Sequence, residues 1–209
     1  MDHSTPSPDP RRRSLLAPAG ALFVSRWGAL LERSARGQAP RLERARFAPG
    51  ALDLLFRAVQ AGWHPYLIGN EPRVARGAWS EQACTRFREE VVNHLRGLGI
   101  PVVRDYACTY HPRGRGRFRR ESVFRFPNTG ALYHAAHLDG VRLGSSWLIS
   151  DDAEELAAGG RAGCRTIRLP RHDGELVLLD ADPHDEAQDL ADALHLLLGT
   201  RGARRSELT

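Results

Sequence analysis

An α/β domain with a mostly parallel sheet and helices on both faces is the fold class this sequence predicts. Three observations carry that expectation. Short apolar runs at residues 22–24, 66–68 and 147–149 alternate with longer segments whose apolar residues recur at helical spacing. The run Ala21-Leu22-Phe23-Val24 empties into Ser25-Arg26-Trp27-Gly28, and a strand ending in a glycine-containing loop is the usual seat of a phosphate site in an open parallel sheet. A chain of 209 residues with 42% hydrophobic content suits one domain with a full core.

The elements follow in order. Residues 1–19 are polar and Pro/Ser-rich, then carry Arg11, Arg12 and Arg13; without a long apolar stretch or a cleavage site they read as a disordered tail. A buried strand at 22–24 leads to a polar, Arg-rich connection at 33–46. Pro49 and Gly50 open a helix on which Leu52, Leu55, Phe56 and Val59 share a face, ended by Gly62. The strand at 66–68 runs into Gly69-Asn70-Glu71-Pro72. Ser80 can cap a longer helix with Glu81 in its first turn; Ala83, Phe87, Val91, Leu95 and Leu98 repeat along it, and Gly97 and Gly99 stop it.

A third strand is expected from 100–103, then an irregular basic stretch over 108–127. Ala131, Leu132, Ala135 and Leu138 mark the next helix, 147–149 a fourth strand, 153–158 a short helix, and 166–169 a fifth strand. Residues 176–179 are a candidate sixth strand, and 185–198 a final helix capped by Gly199. The domain is thus expected over 20–199, with a second disordered tail at 200–209.

Charge is uneven. All 30 basic residues are arginine, so no Schiff-base lysine or lysine phosphate clamp exists, and any anion site must use arginine, backbone amides or hydroxyls. Residues 1–48 and 101–125 each carry a net charge of +5, which leaves the remainder net acidic. Cys84, Cys108 and Cys164 have no paired spacing and read as buried free thiols in a reducing compartment. No apolar run reaches the ~20 residues of a membrane span, so no membrane association and a cytoplasmic location are expected.

The order of short signatures then becomes informative. Ser25-Arg26-Trp27-Gly28 follows the first strand, and Asn70-Glu71-Pro72-Arg73-Val74-Ala75-Arg76-Gly77 the second. Arg125-Phe126-Pro127-Asn128-Thr129-Gly130, Ser150-Asp151 and Ala162-Gly163 come after them. Over residues 20–170 this series resembles the haloacid-dehalogenase (HAD) superfamily, within it the capless heptose-bisphosphate and histidinol-phosphate phosphatase group. The resemblance implies a single three-layer Rossmann-like domain. It also implies phosphoryl transfer through an aspartyl-phosphate with Mg²⁺, one aspartate attacking and a second acting as acid and base.

This chain departs from each motif the resemblance implies. Ser25 stands at the nucleophile position and Trp27 at the acid/base position. Gly69 replaces the hydroxyl residue of the second motif, leaving Asn70 beside it; Phe126 replaces the lysine of the third, leaving Arg125 beside it. Of the metal-binding carboxylates Asp151 remains in place, with Glu155 at the position of the other. Mg²⁺ binding by Asp151 and Glu155 is therefore weakly supported, and the acids from Asp151 to Glu155 also suit a helix N-terminus. In the loop that holds a structural zinc in this group, Cys108 remains. Tyr110, Ser122 and Phe124 replace the other ligands, and His111 is unsupported, so no zinc is expected.

Removing the nucleophile of a covalent hydrolase costs on the order of 10⁶ in turnover. The leading expectation is a phosphatase-fold pseudoenzyme that binds a phosphorylated sugar-like ligand, through Ser25, Asn70 and Arg125, or a protein partner. One alternative is an active hydrolase, a sugar-phosphate phosphatase with slow or altered chemistry. A second is nucleic-acid or scaffold binding through the loop from Arg113 to Arg120, where Phe118 could stack; one short basic stretch makes nucleic acid an unlikely partner. His134 and His137, three apart on a helix, read as surface residues.

Overall fold

The structure, a computed structural model, describes residues 20–33, 41–171 and 182–206. Among them, six parallel strands form one sheet: β1 (Ala21–Ser25), β2 (His64–Ile68), β3 (Arg104–Asp105), β4 (Trp147–Ser150), β5 (Arg165–Arg168) and β6 (Asp185–Glu186). Their order is β3-β2-β1-β4-β5-β6. Chain direction across the sheet reverses between β1 and β4, and the crevice beyond the C-terminal ends of such a strand pair is where open sheets bind ligands.

Alternation along β1 builds the two faces. Leu22 and Val24 point to one side with Leu67, Ile149 and Ile167; there they pack against α1 (Ala51–Gln60), α3 (Glu81–Gly97) and α6 (Leu190–Ser206). Ala21 and Phe23 point to the other, with Tyr66, Ile68 and Leu148, against α4 (Gly130–Asp139) and α5 (Ala153–Arg161). Completely buried side chains such as Phe23 and Leu22 each contribute about 1.5–3 kcal/mol. At Gly159 on α5 a Cβ would lie 2.9 Å from the side chains of Leu148 and Thr166, so glycine sets how closely that helix meets the sheet. A four-residue helix, α2 (Pro72–Ala75), follows β2.

Several element boundaries differ from expectation for identifiable reasons. On α1 the inward residues are Ala51, Leu54, Leu55 and Ala58, one step from the expected stripe, and Phe56 is exposed. The two alanines let the helix approach more closely than a stripe of larger residues would. Ser80 does cap α3, accepting from the Ala83 amide at 3.1 Å. The third strand pairs at Arg104–Asp105 and not at 100–103, where Ile100 and Val102 turn into the core. The expected strand at 176–179 lies outside the described residues, and β6 occupies Asp185–Glu186, within the range expected for the last helix. That helix starts at Leu190, where the Asp189 carboxylate accepts from the Asp192 amide at 2.8 Å. It continues through Gly199 to Ser206; one interior glycine costs only about 1 kcal/mol. The three cysteines are free and buried. His137 is exposed, whereas His134 is half-buried: its Nδ1 lies 3.0 Å from the Tyr106 hydroxyl, with its ring edge-on to Tyr106 and Phe124.

Immediately after β1, Arg26 is completely buried. Its Nη1 donates to Glu71 Oε1 at 2.9 Å, and its Nη2 pairs with Asp105 and donates to the Tyr106 carbonyl at 3.2 Å. Arg88 on α3 closes the cluster, donating to the Asp105 carboxylate at 2.7 Å and to its carbonyl at 2.6 Å. Burial and the Arg26 charge push the Arg88 guanidinium down to about 10. Two cations and two carboxylates thus fasten the ends of β1, β2 and β3 to α3. Arg26→Met leaves Glu71 and Asp105 buried and under-paired, and is expected to cost about 3–5 kcal/mol in urea unfolding. Arg57→Ala, at the exposed Asp53 pair, is expected to cost under about 0.5 kcal/mol. Equal costs would contradict the structural weight given to Arg26.

Candidate functional site

The pleat that sorts the core also sorts the end of β1. Ser25 continues the side of Ala21 and Phe23, toward α5, whereas Arg26 continues the side of Leu22 and Val24, toward α3. Ser25 is only 1% exposed, and its hydroxyl donates to the Trp27 carbonyl at 2.9 Å. The Trp27 indole turns to the α3 side: it stacks on Phe87 with centroids 5.7 Å apart, tilts against Trp79, and donates to Glu71 Oε1 at 3.0 Å.

Asp151, just past β4, lies across from this loop. Arg33 grips it with both ends of its guanidinium, Nε to Oδ2 at 3.1 Å and Nη2 to Oδ1 at 2.6 Å. The carboxylate rests directly on Gly28, whose φ is +95° and where a Cβ would fall 2.2 Å from both carboxylate oxygens. Glycine is required there twice over, by backbone conformation and by contact.

Glu155 on α5 reaches under β1. It is buried, accepts from the Ser150 hydroxyl at 2.7 Å, and touches Ser25. Burial pushes its carboxyl up and the Asp152 charge adds to that; the Ser150 and Ser25 hydroxyls pull it partly back, leaving it at about 8. A Cβ on Gly69 would stand 3.2 Å from Arg26 Nη1 and 3.6 Å from Glu155 Oε1, so these two side chains fill the space beside that glycine. Asp152 caps α5 by accepting from the Glu154 and Glu155 amides.

Asn70 braces the opposite wall. Its amide nitrogen donates to the Phe126 carbonyl at 3.0 Å and to Glu154 at 3.1 Å, while its oxygen accepts from the Phe126 amide at 3.0 Å. Arg125 stands 3.6 Å from the other Glu154 oxygen, and Phe126 is buried in the core beside α4. Ser25, Asp151 and Glu155 therefore share one mouth, with Asn70 and Arg125 joined to it through Glu154. Each polar group in this set already has an internal partner.

No family model matches the chain. The D-glycero-alpha-D-manno-heptose-1,7-bisphosphate 7-phosphatase of Burkholderia mallei is 31% identical over 150 residues, 71% of this chain and 78% of that protein. The chain belongs to the heptose-bisphosphate phosphatase family of the HAD superfamily. The D-glycero-D-manno-heptose-1,7-bisphosphate 7-phosphatase of Thermosynechococcus vestitus is 29% identical over 189 residues, 85% of this chain and 94% of that protein. A solved structure of the B. bronchiseptica D,D-heptose 1.7-bisphosphate phosphatase, complexed with magnesium and phosphate, has a TM-score of 0.72 at 21% identity. That match covers 87% of this chain and 99% of the other, and it shows the shared fold.

The donors that this HAD chain presents do not fit the Mg²⁺ the family implies. A hard dication needs open oxygen ligands, but Asp151 is held by Arg33, the Trp27 carbonyl by Ser25, and Glu155 by Ser150 in a buried position. Among the described residues, no three His, Cys, Asp or Glu side chains are grouped to hold a metal. In the loop before the third motif, Cys108 is buried with its Sγ 3.7 Å from the Tyr110 carbonyl, and His111 Nδ1 accepts from the Arg113 amide. Burial pushes His111 down, and the charges of Arg125, Arg76 and Arg113 push it further against an opposing pull from Glu121. Phe118 is half-buried against Tyr110, with the Arg117 guanidinium 5.0 Å over its ring, while Arg120 lies 3.7 Å over Tyr110. Among the described residues no helix is long and apolar enough to cross a membrane.

Sequence reading missed Arg26, Arg33, Glu71 and Asp105 as parts of the site. For Arg26, a charged residue flush against a buried strand was an available signal; nothing local distinguished Arg33 from its many neighbouring arginines. Glu155 gives a test of the buried mouth. Below about pH 4.5 it is neutral in both states. As pH rises toward 8 the unfolded chain releases this proton first, and stability falls. Glu155→Gln removes that penalty, so its melting point relative to the native chain is expected to rise by at least about 4 °C between pH 5 and pH 8.5. A difference independent of pH would contradict the buried carboxyl.

Proposed function

We propose that this protein keeps the HAD phosphatase fold without the aspartyl-phosphate route and acts by binding. The observation that carries this reading is the pair Ser25 and Trp27 at the mouth of β1. One is a buried hydroxyl already donating to a carbonyl, and the other an indole fastened to Glu71. Neither offers a carboxylate to accept a phosphoryl group, and neither can shuttle the proton of the leaving alcohol. With Ser25 and Asn70 engaged internally, the groups best placed to meet an anion are the arginines around His111. Arg76 and Arg113 are exposed there, and Arg125 is partly so. The partner this reading favours is a phosphorylated small molecule met at that rim, each charge-assisted bond contributing roughly 1.5–3 kcal/mol.

A second reading, an active phosphomonoester hydrolase, has specific support. The relatives that define the family are named as 7-phosphatases, and Glu155 touches Ser25, so a carboxyl stands beside the one hydroxyl at the nucleophile position. Turnover of p-nitrophenyl phosphate and of heptose 1,7-bisphosphate with Mg²⁺ separates the two. Under the binding reading the rate is at least about 10⁵-fold below that of an assayed relative, and Ser25→Ala leaves it unchanged. A sugar bisphosphate is expected to raise the melting point, and Arg76→Ala with Arg113→Ala to abolish that rise. Brisk turnover lost in Ser25→Ala would instead establish the hydrolase.

A further inference from the structure

We propose that the Arg33 guanidinium is a tethered cation that balances Asp151, so that this mouth is electrostatically complete with no divalent metal. The related B. bronchiseptica phosphatase is a complex with magnesium and phosphate; in this chain the Asp151 carboxylate is met by a guanidinium. The contact is bidentate, at 2.6 and 3.1 Å, which is the fork geometry that suits a guanidinium and a carboxylate. Asp151 cannot swing away to serve both roles. Its side chain is 4% exposed, and the backbone of Gly28 lies hard against both its oxygens. The other oxygens of the mouth are also taken: the Trp27 carbonyl accepts from Ser25, and Glu155 accepts from Ser150. Burial disfavours the charge on Arg33, and the hydrogen bonds and charge of Asp151 outweigh it, so the guanidinium stays protonated across the accessible pH range.

The consequence is a cation requirement moved into the chain. An ion that must be captured from solution is replaced by one held by the loop after β1, and the mouth no longer responds to metal concentration. This inference concerns the same site as the proposed binding role but does not rest on the absence of turnover. Metal binding without phosphatase activity would overturn it alone; metal-independent turnover would overturn the binding role alone.

Mn²⁺, followed by its own EPR signal and by thermal melting of the full chain, tests it. The native chain is expected to bind no Mn²⁺ at this site and to melt at the same temperature with MnCl₂ or EDTA. Arg33→Ala strands the buried Asp151 carboxylate and is expected to melt lower by the same amount in EDTA and in MnCl₂, and adding Asp151→Asn, which removes the stranded charge, is expected to recover most of that loss. Saturable Mn²⁺ binding by the native chain that Asp151→Asn removes would overturn the proposal, and so would a double variant no more stable than Arg33→Ala. If Arg33→Ala does not fold, Arg33→Met, which keeps the aliphatic stem, takes its place, and the native titration still decides.

Discussion

One buried guanidinium sets the conditions for the rest of this site. Arg26 follows directly on β1, and the strand pleat sends it toward α3 while Ser25 faces α5. A charge so fully removed from water must be paired, and Glu71 and Asp105 do so from the ends of β2 and β3. Glu71 in turn holds the Trp27 indole, which keeps that ring on the α3 side of the loop. The side of the loop on which the Trp27 indole lies thus follows from where this one charge is satisfied.

The mouth has the anatomy of a phosphoryl-transfer site and the electrostatics of a protein interior. In this chain Asp151 meets Arg33, Asn70 braces the Phe126 backbone, Glu154 takes up Asn70 and Arg125, and Glu155 lies neutral or nearly so against two hydroxyls. Groups paired in this way stabilise the fold, and the proposed binding role follows from their being held by partners within the chain. Membership of the phosphatase family fixes the scaffold; the pairing pattern is particular to the residues of this chain.

Much of the architecture was legible from the residues. The alternation of short apolar runs with helical stripes led to the parallel three-layer sheet, and Ser80 marked the start of α3 because a cap is a local signal. Boundaries that depend on tertiary packing were not legible. The one-step rotation of the α1 face depends on how small residues meet neighbouring elements, and the run of α6 through Gly199 overrides a local stop signal. The site divided in the same way. The unusual residues at Ser25 and Trp27 stand out in the sequence, whereas the partners that neutralise the pocket do not. Arg33 meets Asp151 across 118 positions and Asp105 meets Arg26 across 79, and no pattern in a single chain announces either contact.

The central claim is that the mouth of β1 is closed by its own partners, and the Trp27 indole N–H reports on it directly. In a ¹H–¹⁵N NMR spectrum its resonance is expected to exchange slowly with solvent, held by Glu71 and stacked on Phe87, and to stay in place when Mg²⁺ and a phosphomonoester are added together. A rapidly exchanging indole, or one whose resonance moves strongly on that addition, would mean that the loop opens to admit ligand and metal, and would contradict the closed mouth.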